Sequence, residues 1–257
     1  MSEPIPFRDY AKFYDLLYRD KDYDREARFV LDRLEAHAPR PATIVDFGCG
    51  TGRHARAIAA LGVSVTGVER SLDMLETARA TPSATGAAPI EYVQGDIRFV
   101  APARLADAAV CLFHVLCYLT HDEDLDAFFQ TVAAHLPVGG VLLFDVWHGP
   151  AVLRDRPAVS TKHVSSDAFD VTRIGEPHLD ADQHIVEMAY RLTATDRQSG
   201  AVTEIRERHR MRFFFLPDLA QRLSMHHFTV VETGAWLTGG QPDDQCWSAY
   251  VVARRDR

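Results

Sequence analysis

The chain has 257 residues, 47% of them hydrophobic and 25% charged, which is enough for one large domain with a sizeable insertion. A formal charge of −8 argues against wholesale electrostatic binding to nucleic acid or to an anionic membrane. No apolar stretch reaches spanning length, no leader is visible, and the four cysteines form no C-x-x-C pair, so a cytoplasmic protein with reduced thiols and no zinc site is expected.

The first predicted element is an amphipathic helix over residues 8–19, with Phe7, Tyr10, Tyr14 and Tyr18 on one face at three- and four-residue intervals. A second helix covers about 22–37 and stops before Pro39. Strand and helix then alternate. A strand over 44–46 precedes a helix from Arg53 to Leu61, and a strand over 63–68 ends in Glu69. Ser71 is placed to cap a helix running to about Ala80. Residues 81–89 read as loop, 90–94 as the third strand and 108–113 as the fourth, and Cys49 and Cys111 are expected within buried strands. Thr120 and Glu123 have the spacing of a capping box for a helix to Leu136, and a Pro-Val-Gly-Gly turn leads into a fifth strand over 141–146. Such alternation predicts a doubly wound parallel sheet.

The rhythm changes after residue 148. Residues 162–215 alternate with a period of two, as an antiparallel sheet would. The strand from Thr203 sets Glu204, Arg206, Arg208, Arg210 and Arg212 on one face, and Ile205, Glu207, His209, Met211 and Phe213 on the other. The mixed face would bury Glu207 and His209, which requires partners or a polar pocket, and the pocket is favoured. The arginine row suits a solvated face, with an anion-binding role as the alternative. Helical periodicity returns at Pro217, and strands over 229–232 and 248–253 close the core as an antiparallel pair. Three segments result: 1–37 as a helical lid, 38–148 with 213–257 as the core, and 149–212 as an inserted sheet bearing on the substrate.

The chemistry concentrates in the turn after the first strand, Asp46-Phe47-Gly48-Cys49-Gly50-Thr51-Gly52. Its glycines let backbone N–H groups approach a ligand closely. A dinucleotide loop needs G-x-G-x-x-G, whereas here the third glycine comes one position early and Arg53 stands where Gly or Ala is required. Asp46 would also repel a diphosphate, and the D-x-G-x-G-x-G pattern suits a ligand with a cationic amino acid end. It resembles motif I of the class I S-adenosylmethionine (SAM) dependent methyltransferases. Glu69, at the end of the second strand, is positioned to accept from ribose hydroxyls. Arg70 beside it belongs to the same predicted set, and Met74 either packs on the adenine or joins the core. Gln94-Gly95-Asp96-Ile97 resembles the next motif of that family, in which the Asp accepts from the adenine amino group and the following N–H donates to the ring.

Phe113, His114 and Tyr118 follow the fourth strand, and His148 follows the fifth. Open α/β sheets bind ligands at those strand ends, so Phe113 is expected against the cofactor and the other three near the reacting methyl group. No cluster has metal spacing, and no D/N-P-P-Y/F motif of nucleic-acid methylation follows the fourth strand.

Beyond motif I, Tyr14-Asp15-Leu16-Leu17-Tyr18, Lys21-Asp22-Tyr23, Glu26 and Val110-Cys111-Leu112-Phe113 resemble the bacterial amino-sugar N-methyltransferases that act on nucleotide-linked deoxysugars. The resemblance implies a Rossmann-like seven-stranded, mostly parallel sheet with SAM as cofactor. It further implies that Tyr14 reaches the SAM carboxylate and that Tyr10 closes over the active site. Tyr118 stands where the sugar enzymes carry a His near the acceptor amine. The expected function is methyl transfer to a small-molecule amine, with no nucleic acid or membrane partner and with a homodimer compatible. The alternatives are O-methylation with His114 or His148 as base, a SAM-binding protein without activity, and an NAD-dependent oxidoreductase, which the glycine spacing disfavours.

Overall fold

A computed structural model describes residues 10–257. The core is a seven-stranded sheet in the order β10-β11-β5-β4-β1-β2-β3. Its parallel strands are β1 (Thr43–Phe47), β2 (Ser64–Glu69), β3 (Ile90–Gln94), β4 (Ala108–Cys111) and β5 (Val141–Trp147). β11 (Ser248–Arg255) runs antiparallel to β5 and to β10 (Phe228–Ala235). Four of the five residues of β1 are buried, as a central strand covered on both faces requires. Val45 and Phe47 face one core with Phe128, Phe129 and Leu219, from α5 (Asp122–His135) and α7 (Leu216–Met225). Ile44 faces the other with Val30, Ala55 and Ile58, from α2 (Tyr23–Glu35) and α3 (Arg53–Ala60). Ser71 caps α4 (Leu72–Ala80) by accepting from the Met74 N–H.

A second sheet, wholly antiparallel, is made of β6 (Ser160–Ser165), β7 (Phe169–Asp180), β8 (Ile185–Asp196) and β9 (Val202–Arg212). Ile205, His209 and Met211 are buried on β9 while Glu204, Arg206 and Arg208 are exposed, the alternation expected from sequence. The first helix, α1 (Ala11–Leu17), buries Phe13 and Leu17 against Val164, Val171 and Leu192 of this sheet, with Tyr10 at its N-cap. Each such side chain removed from water contributes about 1.5–3 kcal/mol. α1 is shorter than the sequence indicated, and Phe7 lies outside the described residues.

Four local expectations are corrected. β4 stops at Cys111, two residues early, because Phe113 and His114 both have φ 62°, which no strand accommodates. The Thr120–Glu123 capping box does not form: α5 begins at Asp122, and its N-cap His121 makes no side-chain cap. Three acidic residues in its first turn suit the helix dipole instead. Cys49 sits in the turn after β1 rather than in the strand. A six-residue helix, α6 (Gly149–Arg154), opens the 149–212 segment that was expected to be sheet; at that length there is little helical period to detect.

Candidate active site

At the carboxyl ends of β1, β2 and β4 the chain encloses a cavity of about 1100 Å³. Tyr10, Tyr14, Gly48, Gly50, Glu69, Arg70, Met74, Asp96, Ile97, Phe113, His114 and Tyr118 all line it; Asp46 and His148 do not.

The glycine turn forms one wall. Gly48 has φ +79°, and a Cβ there would lie 2.5 Å from Val115 Cγ1. Gly50 has φ +56° and nothing within 4 Å of a Cβ, so its backbone borders open space that a ligand could approach. The Gly50 N–H donates to Glu69 (3.1 Å), which also accepts from the N–H groups of Arg70 (2.7 Å) and Ser71 (2.8 Å). A carboxylate has about four lone-pair sites, so capacity remains for a ligand hydroxyl. Burial raises the Glu69 pKa, and these three donors only partly oppose it. Met74 is 2% exposed and also on the cavity wall, so its two expected roles coincide.

Asp96 is gripped by Arg98, at 2.9 Å from Nε and 2.6 Å from Nη2, with Arg70 at 3.8 Å. Burial would raise the Asp96 pKa, but the Arg98 hydrogen bonds outweigh it and hold the carboxyl low. Arg98 also reaches Asp124 at 2.5 Å, tying the third-strand turn to α5.

Asp46 lies beneath the turn at 1% exposure, and its Oδ2 has no hydrogen-bond partner within the chain. Strand alternation puts its side chain on the Ile44 face rather than in the cavity. Burial is the main cause that pushes its pKa to about 6, with His54 lowering it and Glu69 raising it. Between the ordinary value of 3.8 and about 6 the folded chain holds a proton that the unfolded chain has lost, so stability falls as pH rises through that window. Asp46→Asn should therefore be more stable than the parent above about pH 6, by as much as about 3 kcal/mol, and lose that advantage below about pH 4. Urea unfolding of both proteins at the two ends of the window checks this; an advantage independent of pH would refute it.

His148 is a correction. It is buried at the N-cap of α6, with Nδ1 at 3.1 Å from the Asp243 carbonyl and 3.2 Å from that of Cys246. Its place one residue past the end of β5 makes it the residue that leads into the α6 turn. His148 fastens the 243–246 loop and touches no cavity atom.

His114 does line the cavity, with a partner that sequence reasoning overlooked. Its Nδ1 stands 2.7 Å from Asp145 Oδ2, at ion-pair distance though off the hydrogen-bond line, and its N–H donates to Oδ1 at 3.3 Å. Asp145 is 1% exposed. Burial alone would raise its pKa, yet His114 brings it below the ordinary value. The available signal was one carboxylate in the apolar run Leu142-Leu143-Phe144-Asp145-Val146, since a buried charge demands a partner. Lys21 was missed similarly: its Nζ lies 4.2 Å from the Phe113 ring centroid and pairs with Glu26, which also bonds His54 at 2.8 Å.

The other wall comes from α1 and the second sheet. Arg173 of β7 donates to the hydroxyls of Tyr10 (2.9 Å) and Tyr18 (3.0 Å), and Thr51 of the glycine turn donates to Asp15 at 2.7 Å. Tyr14 packs edge-on against Tyr10 (centroids 6.4 Å apart) and, at 4.8 Å, beside Tyr18. Tyr118 Oη lies 2.7 Å from His209 Nδ1, and His209 Nε2 lies 2.9 Å from Glu207, so the buried polar pair on β9 is satisfied beside the cavity. Arg208 and Arg210 line it as well, with Arg208 paired to Glu187 at 3.0 Å. Among the described residues no three His, Cys, Asp or Glu side chains could hold a metal ion.

A family described as a methyltransferase domain matches residues 44–140. The dTDP-3-amino-3,6-dideoxy-alpha-D-glucopyranose N,N-dimethyltransferase of Streptomyces fradiae is 31% identical over 79% of this chain and 77% of its own. The dTDP-3-amino-3,4,6-trideoxy-alpha-D-glucopyranose N,N-dimethyltransferase of Streptomyces venezuelae is 33% identical over 75% and 78%. Among solved structures, the SAM-bound amino pentose methyltransferase CalS10 of Micromonospora echinaspora superposes with a TM-score of 0.73 at 25% identity, over 99% of this chain and 100% of the other. The chain belongs to the class I SAM-dependent methyltransferases, in the branch that contains the amino-sugar N-methyltransferases. SAM is its cofactor and a small molecule its substrate, which favours methyl transfer over the oxidoreductase alternative.

Proposed function

We propose that this enzyme methylates the amino group of a nucleotide-linked deoxysugar. The observation that carries the reading is the continuity of the cavity, which joins the glycine turn of the core to Arg208 and Arg210 of β9 in one space. Such a space suits a cofactor and an anionic acceptor together, and the similar dTDP-amino-sugar enzymes point to the same acceptor class.

The donor set fits SAM. Glu69 is assigned to the ribose hydroxyls, Asp96 and the Ile97 N–H to the adenine edge, and Met74 to its face. Gly48 and Gly50 allow the amino acid end to approach, with Asp46 acting from beneath as a buried negative charge. Arg70 and Phe113 complete the cofactor wall, Tyr14 is assigned to the carboxylate, and Tyr10 closes the site. When bound, SAM supplies an electrophilic methyl group whose bonding pair stays with the departing sulfur. The protein contributes alignment and exclusion of water, for which the packed phenols are suited. His114 and Tyr118 border the transfer; His148 takes no part.

The experiment combines calorimetry with SAM and NAD and mass spectrometry of dTDP-amino sugars incubated with enzyme and SAM. Binding of SAM alone and acceptors heavier by one or two methyl groups are expected. Methylation of a hydroxyl with the amine untouched would replace this reading with the O-methyl one.

Residues 1–37 and 149–212 are proposed to act as a lid on the core formed by 38–148 and 213–257. The Asp15–Thr51 bond and the Arg173 bonds to Tyr10 and Tyr18 support this, because they tie α1 both to the cofactor turn and to the second sheet. Amide exchange over residues 10–20 should slow when SAM or its demethylated product is added. Equal exchange with and without ligand would make this helix ordinary packing. A cytoplasmic location, supported by the free, buried Cys49, Cys111 and Cys117, and a homodimer, which sedimentation would test, complete the proposal.

A further inference from the structure

Strand β9 places Glu207 and His209 two residues apart on its inward face, opposite Tyr190 and Met188 of β8. His209 is 2% exposed, and both ring nitrogens are engaged: Nε2 with Glu207 at 2.9 Å and Nδ1 with the Tyr118 hydroxyl at 2.7 Å. Tyr118 ends the 3₁₀ turn Val115–Tyr118 that follows β4, and its side chain lines the cavity. A continuous chain of hydrogen bonds therefore runs from the cavity wall into the insertion, from Tyr118 through His209 to Glu207.

The chemistry of the groups gives this chain a direction. An ionised carboxylate only accepts, so the imidazole donates to Glu207 through Nε2–H. Neutral Nδ1 then has a lone pair and no proton. Tyr118 must donate to it. With its single O–H turned inward, the phenol presents lone pairs to the cavity.

We propose that Tyr118 is the hydrogen-bond acceptor for the substrate amine, held in that sense by His209 and Glu207, and that the three side chains carry off the proton released on methylation. This rests on the amine reading above. Once the nitrogen carries the methyl group and a positive charge, its N–H proton passes to the Tyr118 oxygen while the phenolic proton passes to His209 Nδ1. The phenol stays neutral throughout, and the resulting imidazolium faces Glu207. A tyrosine can thus do base work without becoming phenolate, which its burial strongly opposes. Tyr118 is the catalytic residue here; His209 and Glu207 are positioning residues. Among the described residues, the groups facing His209 include Tyr118 from the turn, Glu207 on its own strand, Tyr190 of β8 with its ring centroid at 5.0 Å, and Tyr10 at 6.0 Å. Arg173 stacks on the far side of the network, 4.8 Å from the Tyr190 ring.

The direction can be read without cofactor or acceptor. In ¹⁵N-histidine-labelled wild-type protein at about neutral pH, His209 should show a protonated Nε2 and a bare Nδ1, and Tyr118→Phe should shift the Nδ1 resonance. A protonated Nδ1, in either the other tautomer or the cation, overturns the proposal whether or not the enzyme methylates amines. In turnover, His209→Gln keeps an acceptor for the Tyr118 hydroxyl but cannot take a proton, so kcat should fall about 100-fold while the acceptor KM changes little. Glu207→Gln should move the acid limb of the kcat profile to lower pH, because the imidazolium loses its counter-charge. Amine methylation with unchanged limb and unchanged kcat in both variants would leave the proposed function standing and remove the relay.

Discussion

Replacing His114 with Ala should destabilise the protein by about 3–5 kcal/mol near neutral pH, the loss expected when a buried carboxylate is left without its partner. Asp145 is within the sheet at 1% exposure, and the His114 ring stands 2.7 Å from it. Its folded pKa is depressed, so the stability from this pair is present above the unfolded pKa and is lost as pH falls through the folded one. The deficit of His114→Ala should accordingly shrink in strong acid, where Asp145 is protonated in both states. His114→Asn separates two contributions, since Asn tolerates the left-handed backbone (φ 62°) but lacks the imidazole that faces Asp145. Denaturant unfolding across pH measures all three proteins. Unchanged stability with turnover abolished would make His114 a base and revive the O-methyl reading.

Glu69→Ala should weaken SAM by about 1.5–3 kcal/mol, roughly 10–150-fold, because a hydrogen bond from a ribose hydroxyl to a charged acceptor is worth that much. The carboxylate also accepts the N–H groups of Gly50, Arg70 and Ser71, so its removal should loosen the glycine turn that lines the cavity beside it. Glu69→Gln keeps an acceptor oxygen and should fall between the two. Calorimetry with SAM distinguishes them, and an affinity unchanged in Glu69→Ala would take Glu69 out of the cofactor site.

The cavity residues at the sheet's carboxyl edge were legible because they are tied to strand ends. Once the 44–46 strand and the glycine turn were placed, Glu69 and Asp96 followed from being the acidic residues at the ends of the next two strands. Ser71 as a cap and the face of β9 carrying His209 were legible for a similar reason, since one-turn and two-residue periods are local. What escaped is non-local. Nothing near Asp145 in sequence names His114 as its partner, and nothing near Asp46 or His148 in sequence shows that neither side chain lines the cavity. The left-handed pair Phe113 and His114 was hidden because the backbone there is set by the Asp145 contact and by Tyr18 against Phe113, not by residues that favour such angles.

The second sheet leaves the core and returns to it at nearly one point. His148 and Phe214 form a bridge, Phe214 N–H donates to the Trp147 carbonyl at 2.9 Å, and Gly149 N–H donates to the Phe214 carbonyl at 2.8 Å. Two chain ends stitched side by side make a socket. Whatever length of chain is plugged in between, the core strands on either side need not move, and closure entropy grows only slowly with that length. Acceptor choice can then drift by exchange of the plug, with the cofactor machinery inherited intact. The Tyr118–His209 and Arg212–Asp122 contacts and the α1 seam would have to be rebuilt with each new module.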